Sequence, residues 1–307
     1  MTDQYSVIDI SHWPVASIEP RGLEAKTWFE DPTAMPGEPC RWLFKPITRH
    51  SWGDQGEDWA EKITSEVGRV LGVPCARVEL ATRQGERGLI SLDLAPPPLE
   101  LFTGMLVMPG VVPNYEVGAS RVKGRPGHSL ANIRRALADC VPPPGSDVPS
   151  HFNAFAVFAG YLVMDALVAN RDRHDENWAI LRPADPSAPD MLCGSYDHGS
   201  SLGYNLPDRR RLLRLKNNQV GDWVRKGTAW RFEHDPASPP PTLVALAREA
   251  LVTAGEDVRS YWLDRLLSVD ADDLVNLVSR VPKMSDPART FAMEVLRLNR
   301  ERLLNEC

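Results

Sequence analysis

The chain has 307 residues, 43% of them hydrophobic and 25% charged, an ordinary globular composition with length for one large domain or two lobes sharing a cleft. A net charge of −6 argues against a general nucleic-acid binder, which needs a basic face against phosphate. Five widely spaced cysteines, with no Cys-x-x-Cys pair, speak against a disulfide framework, a zinc clip or thiol redox chemistry and read as reduced thiols.

The start, Met1-Thr2-Asp3-Gln4-Tyr5, carries neither a basic nor an apolar leader, so a cytoplasmic location is expected. Trp42-Leu43-Phe44-Lys45 reads as a short strand ending on a lysine and stopped by Pro46, which lacks the N–H a ladder needs. Beyond a polar loop, Trp59, Ile63, Val67, Val70 and Leu71 recur at helical spacing as far as the stop signals Gly72 and Pro74. Val78 to Ala81 and Leu89 to Leu94 read as further strands, with Gly85 in the turn between them. Ala95-Pro96-Pro97-Pro98 suits neither a helix nor a central strand and is the expected boundary between a smaller lobe, residues 1–94, and a larger one, residues 95–307.

From Leu99 onward the pattern is mostly helical, interrupted by proline-rich loops at Val141 to Pro149, Pro183 to Pro189 and Pro236 to Pro241. Phe152, Phe155, Ala156, Ala159, Val163, Ala166 and Leu167 share one helical face and the other faces are nearly as apolar, which places this helix in the middle of its lobe. Its apolar run from Ala154 ends at Asp165, too short to cross a bilayer, and no membrane association is expected. Trp178 to Leu181 and Leu192 to Tyr196 read as a hairpin whose open end carries Asn177 and Asp197. Arg209-Arg210-Arg211 is the most concentrated basic patch, either a site for an acidic substrate or a solvated loop. The last stretch reads as three or four helices, the final one from about Pro287 to Asn305.

The densest chemistry lies in Asn170-Arg171-Asp172-Arg173-His174-Asp175-Glu176-Asn177, followed by Tyr196-Asp197-His198-Gly199. An Asp, an Asn five residues on and a second Asp beside a Gly suit phosphoryl transfer, which needs an oriented hydroxyl and a metal against the triphosphate more than covalent help. Asp172 is the candidate acceptor of the hydroxyl proton. Asn177 and Asp197 offer hard oxygens to Mg²⁺, and Gly199 is expected to give the backbone freedom to aim Asp197. His174 is expected to hydrogen-bond backbone and shape the loop.

These residues, with Phe44-Lys45, Glu61 and the Leu71-Gly72-Val73-Pro74 helix ending, resemble the HipA-like kinases, bacterial Ser/Thr protein kinases distantly related to the phosphatidylinositol kinases. The resemblance implies an α+β, two-lobed protein-kinase-like fold, with a small mixed β-sheet N-lobe, a larger mainly helical C-lobe and ATP between them. It makes Lys45 the phosphate-contacting lysine and Glu61 its ion-pair partner. Asp172 becomes the base, Asn177 and Asp197 the Mg²⁺ ligands, and the backbone near Ser91, Leu92 and Asp93 the adenine site. Where relatives carry a Ser/Gly-rich phosphate loop, this chain has Arg21-Gly22-Leu23-Glu24-Ala25-Lys26, with Lys26 as the candidate loop lysine and no evident autophosphorylated serine. The subdomain that toxin members use against an antitoxin is not expected, since few residues precede Lys45.

The implied function is ATP- and Mg²⁺-dependent phosphorylation of a Ser or Thr on a protein substrate. Two alternatives keep the site: a kinase for a small molecule or lipid head group, and a nucleotide-binding regulator without catalysis. A third makes His174, His198, Asp172 and Asp175 the metal ligands of a hydrolase, but leaves the strands and Lys45 unexplained.

Overall fold

A computed structural model describes residues 3–19, 26–51, 53–118 and 122–307, with the backbone alone for Glu19 and Lys26. The segment Arg21 to Ala25 and the side chain of Lys26, the candidate loop lysine, lie outside the described residues.

The first part of the chain builds β1 (Val7–Asp9), β2 (Val15–Glu19), β3 (Lys26–Glu30), β4 (Arg41–Pro46), the small pair β5 (Arg49–His50) and β6 (Gly53–Asp54), helix α1 (Glu57–Leu71), β7 (Val78–Arg83) and β8 (Glu86–Leu92). Six of the strands form one sheet in the order β1-β7-β8-β4-β3-β2, antiparallel except for β1 against β7. The β7–β8 turn has positive φ at both Gln84 and Gly85 (51° and 80°), the twist that a two-residue hairpin needs. Alternation along β4 sorts the side chains. Trp42 and Phe44 join Ile10, Phe29, Ala81 and Ile90 in a core on one face of the sheet. Lys45, paired with Leu89, and Leu43, paired with Ser91, point to the other face, where Leu80 meets the residues of α1.

Helix α1 closes as its sequence directs, with Gly72 in the left-handed region (φ 70°). Its residues Trp59, Ala60, Ile63, Val67 and Leu71 enter the same apolar core as the helices of the second part, so the two lobes share an interior.

The second part runs β9 (Glu100–Thr103), α2 (Gly104–Val107), α3 (Leu130–Ala136), α4 (Ala154–Val168), β10 (Ala179–Arg182), β11 (Met191–Leu192), α5 (Asp208–Lys216), α6 (Val220–Arg225), α7 (Leu243–Ala254), α8 (Glu256–Ser268), α9 (Ala271–Ser279) and α10 (Asp286–Glu306). Strand β9 was not expected in the mostly helical stretch from Leu99 onward: it pairs with β10 and completes a three-stranded sheet, a partnership with a segment almost eighty residues away. The basic run Arg209 to Arg211 is likewise helical, not a loop. No described helix is long and apolar enough to cross a membrane.

Every residue of α4 is buried, as its all-round apolar pattern demands. Asn153 caps its start by accepting from the Ala156 N–H, and Asn299 of α10 donates to the Leu167 carbonyl near its end. Trp262 of α8 lies against Gly160 and donates its indole N–H to the Ala156 carbonyl at 2.9 Å. A Cβ at Gly160 would stand 2.4 Å from the Trp262 ring. Gly160→Ala is therefore expected to lower stability by about 1–3 kcal/mol in urea unfolding, despite its better helix propensity. Gly110→Ala, where a Cβ meets nothing within 4 Å, should be near neutral.

Candidate active site

Lys45 leaves the end of β4 with its ammonium 2.9 Å from Asp197 Oδ1. The two residues are 152 positions apart, and their contact joins the sheet lobe to the hairpin of the helical lobe. Burial alone would pull the Lys45 pKa down, but the negative charges of Asp197 and Glu61 outweigh it and the net direction is upward. Glu61 sits on the buried face of α1, 2% exposed. Burial pushes its carboxyl up, and Lys45 together with His198 outweighs that and holds it down. The expected direct ion pair between Lys45 and Glu61 is thus replaced by one between Lys45 and Asp197, with Glu61 acting through its field.

Behind Glu61 runs a chain of buried polar groups. His198 Nδ1 stands 3.6 Å from Glu61 Oε1, and its Nε2 is 2.8 Å from Ser195 Oγ. Arg173 donates to that hydroxyl and pairs with Asp165 through two guanidinium nitrogens at 2.7 and 2.8 Å. Arg173 also donates to the Asn177 carbonyl, and the Tyr196 hydroxyl donates to the Glu176 carbonyl at 2.8 Å, so the open end of the β10–β11 hairpin is drawn together. Asp165, the residue that interrupts the apolar run of α4, is the anchor. It accepts from Asn170 as well, and Asn170 in turn accepts from the Asp172 N–H.

The loop from Asn170 to Asn177 therefore hangs on α4. Asn177 donates its amide nitrogen to the Asp172 carbonyl at 2.8 Å, which leaves its Oδ1 as the end for a cation. His174 Nδ1 accepts from the Glu176 N–H at 3.2 Å. Asp172 and Asp197 keep 30% and 40% of their side-chain area exposed, in contrast to the buried residues that hold them. Asp197 has φ 62°, a left-handed conformation uncommon outside glycine, and local backbone strain of this kind collects at functional sites. This corrects the expected role of Gly199: the unusual backbone belongs to Asp197 itself. A Cβ at Gly199 would lie 3.3 Å from Glu61 Oε2, so the glycine serves close approach to α1.

Two further charge pairs clamp the loop, and no spacing signal in the sequence announced them. Asp175 is buried between Arg125 and the Tyr115 hydroxyl, each 2.6 Å away. Arg231, 59 residues beyond Asp172, donates from Nε to Asp172 Oδ1 at 2.7 Å and brings a second nitrogen to the same oxygen, while its guanidinium stacks 3.8 Å over Trp230. The hydrolase ligand set is thereby dispersed: His198 belongs to Glu61 and Ser195, and Asp175 to Arg125. Among the described residues no group of three or more His, Cys, Asp or Glu could hold an ion by itself. Asp197 and the Asn177 amide oxygen fit Mg²⁺, which takes few protein oxygens and fills its octahedron with water and phosphate.

At the far side of the Lys45 face, the N–H groups of Leu92 and Asp93 are spent on the carbonyls of Arg77 and Arg41. Asp93 caps the Ala95 N–H and lies 3.5 Å from Arg41, while Ser91 pairs with Leu43 inside the sheet. Ala76, Val78, Leu89, Leu94 and Tyr196 form an apolar cluster there between sheet and hairpin.

No protein-family profile matches the sequence, and no curated protein is matched in sequence. Solved structures match strongly in fold. The Helicobacter pylori proinflammatory kinase CtkA superposes with a TM-score of 0.73 over 98% of this chain and 96% of its own, at 16% identity. HipA of the Shewanella oneidensis MR-1 toxin–antitoxin system, solved with HipB and operator DNA, gives a TM-score of 0.54 at 15% identity. That match covers 99% of this chain and 66% of the other. The fold is therefore the two-lobed α+β fold of the HipA-like kinases.

The clamp carrying Arg231 has its own acid sensitivity. His128 is fully buried, with one ring nitrogen 2.7 Å from the Arg231 carbonyl and the other accepting from the Trp178 indole N–H. Burial pulls its pKa from 6.5 down to about 4. Between those values the unfolded chain binds a proton that the folded chain refuses, so stability falls as pH falls, by up to about 3 kcal/mol. Urea midpoints at about pH 7 and about pH 4.5 should show this loss, and His128→Asn should show a smaller pH dependence.

Proposed function

We propose that the chain transfers the γ-phosphoryl group of ATP to a Ser or Thr hydroxyl on a protein, with residues 1–94 and 95–307 as the lobes that close on the nucleotide. The observation that carries this reading is the 2.9 Å contact between Lys45 and Asp197, backed by Glu61. It joins a cation able to meet phosphate oxygens to a carboxylate able to meet a metal, while Asp172 keeps a partly exposed carboxyl. In this reading Lys45 binds the phosphates and Asn177 with Asp197 would hold Mg²⁺, which when bound neutralises charge on the triphosphate. Asp172 orients the acceptor hydroxyl and takes its proton, and the buried chain behind Glu61 fixes the geometry that such positioning needs. The adenine would lie against the apolar cluster of Val78, Leu89 and Leu94, where the sheet has already used the N–H groups of Leu92 and Asp93.

Arg231 on Asp172 favours a second reading, a nucleotide-binding regulator in which the base is permanently engaged. Labelled ATP with Mg²⁺ separates the two. Transfer to added protein is expected to fall by about 10²-fold or more in Asp172→Ala and in Asp197→Ala. Label that persists in both variants would contradict the assignment, and absence of transfer with intact ATP binding would select the regulator. Transfer that requires added lipid or metabolite extract would move the acceptor out of the protein class. Lys45→Met should weaken ATP binding and, because it removes a counter-charge of buried Glu61, lower thermal stability without unfolding the chain, whereas a collapse of the fold would make Lys45 structural.

A further inference from the structure

Helix α5 packs Leu215 against the core and turns Leu212 and Leu213 outward. Arg211 faces inward, 6% exposed, and donates to the carbonyls of Gly203 and Tyr204. Arg209, Leu212, Leu213 and Lys216 follow one another at i, i+3, i+4 and i+7 on the outer side, with Leu212 and Leu213 53% and 57% exposed. Two adjacent leucines more than half exposed, bracketed by cations, are not what a merely solvated helix requires. Among the described residues Arg209, Arg210, Arg214 and Lys216 have no ion-pair partner, and the acidic residue on this helix, Asp208, is held by Arg211.

The surrounding charge is segregated in the same place. Residues 208–226 contain seven Arg and Lys against two Asp, a net charge of +5 in a chain whose total is −6. Both ends of this segment are tied to the candidate active site. Arg211 holds its start to Gly203 and Tyr204, soon after Asp197, and Thr228, just past its end, bonds Arg171 beside Asp172 through its hydroxyl at 3.1 Å.

We propose that the outer face of α5 is a docking surface for an acidic protein segment carrying apolar side chains, which holds the acceptor protein beside Asp172. The purpose rests on the phosphotransfer reading; the binding itself does not. Charge complementarity selects an acidic partner, and the exposed leucine pair selects one with apolar residues among its acids. A bilayer would need a whole apolar helix face, and a single nucleic-acid strand would need aromatic platforms; α5 offers two leucines and no aromatic.

The test is fluorescence anisotropy on the full chain, without ATP, using a fluorescein-labelled peptide of Glu-Glu-Leu repeats. The wild type should bind, and more weakly as salt rises. Arg209→Glu/Arg210→Glu/Arg214→Glu should weaken binding by about tenfold or more, and Leu212→Ser/Leu213→Ser by roughly threefold or more. Arg134→Glu/Arg135→Glu on α3, a charge change remote in sequence, and Asp197→Ala should bind as the wild type does. Circular-dichroism melting confirms that each variant is folded. Equal peptide affinity in the wild type and both α5 variants would overturn the proposal. So would tighter, α5-dependent binding of phosphatidylglycerol vesicles or of a single-stranded oligonucleotide. A protein that docks the peptide but transfers no phosphate would sink the phosphotransfer reading and leave the docking surface standing; transfer without docking would do the reverse.

Discussion

The structure depends on keeping buried charge neutralised. Glu61, His198, Ser195, Arg173 and Asp165 form a continuous polar chain from α1 to the last turn of the central helix, and Lys45 faces it through its pair with Asp197 and the field of Glu61. Both side chains of the Arg173–Asp165 pair are 2% exposed, and leaving such a charge without its partner costs roughly 3–5 kcal/mol. That penalty ties β4, α1, the hairpin and α4 into one arrangement, because displacing any of them would strand a charge in an apolar interior. The apolar core gives the molecule its cohesion; the polar chain gives it its registry.

The same constraint explains why the loop from Asn170 to Asn177 is a rigid platform in spite of having no regular secondary structure. Its residues alternate in duty. Arg173 and Asp175 are buried and hold, while Asp172 keeps a partly exposed carboxyl. Arg231 complicates that division, since it brings a cation onto the partly exposed Asp172 carboxylate and does so from a segment fastened by His128 and Trp178. The Asp172 carboxylate therefore sits in a cationic setting made by Arg231, with Arg171 next to it in sequence and turned to Thr228. That electrostatic setting continues along the basic segment from α5 to α6, although the chain as a whole is acidic.

Much of the scaffold was legible in the sequence where local chemistry decides. The helix ending at Gly72, the buried helix before Asn170 and the hairpin after Asn177 each carry their own periodicity, stop or turn signals. Strand β9 escaped because its four residues have no pattern of their own and become a strand only by pairing with β10. Arg125 and Arg231 escaped because an isolated arginine looks alike whether it is solvated or buried against a carboxylate. Gly199 was noticed for the wrong reason, since a glycine needed for backbone freedom and one needed for close packing are written with the same letter.

By itself the sequence determined which chemistry the chain possesses: a lysine at a strand end, a glutamate on a helix, and two aspartates and an asparagine around a hairpin, each placed by short-range steric and hydrogen-bonding rules. Only the tertiary structure decided who pairs with whom. Lys45 meets Asp197 directly and Glu61 through its field, Asp172 is met by Arg231, and Asp165 becomes the anchor. Those choices join residues up to 152 positions apart, so they follow from how the whole chain closes and from the cost of leaving any buried charge alone.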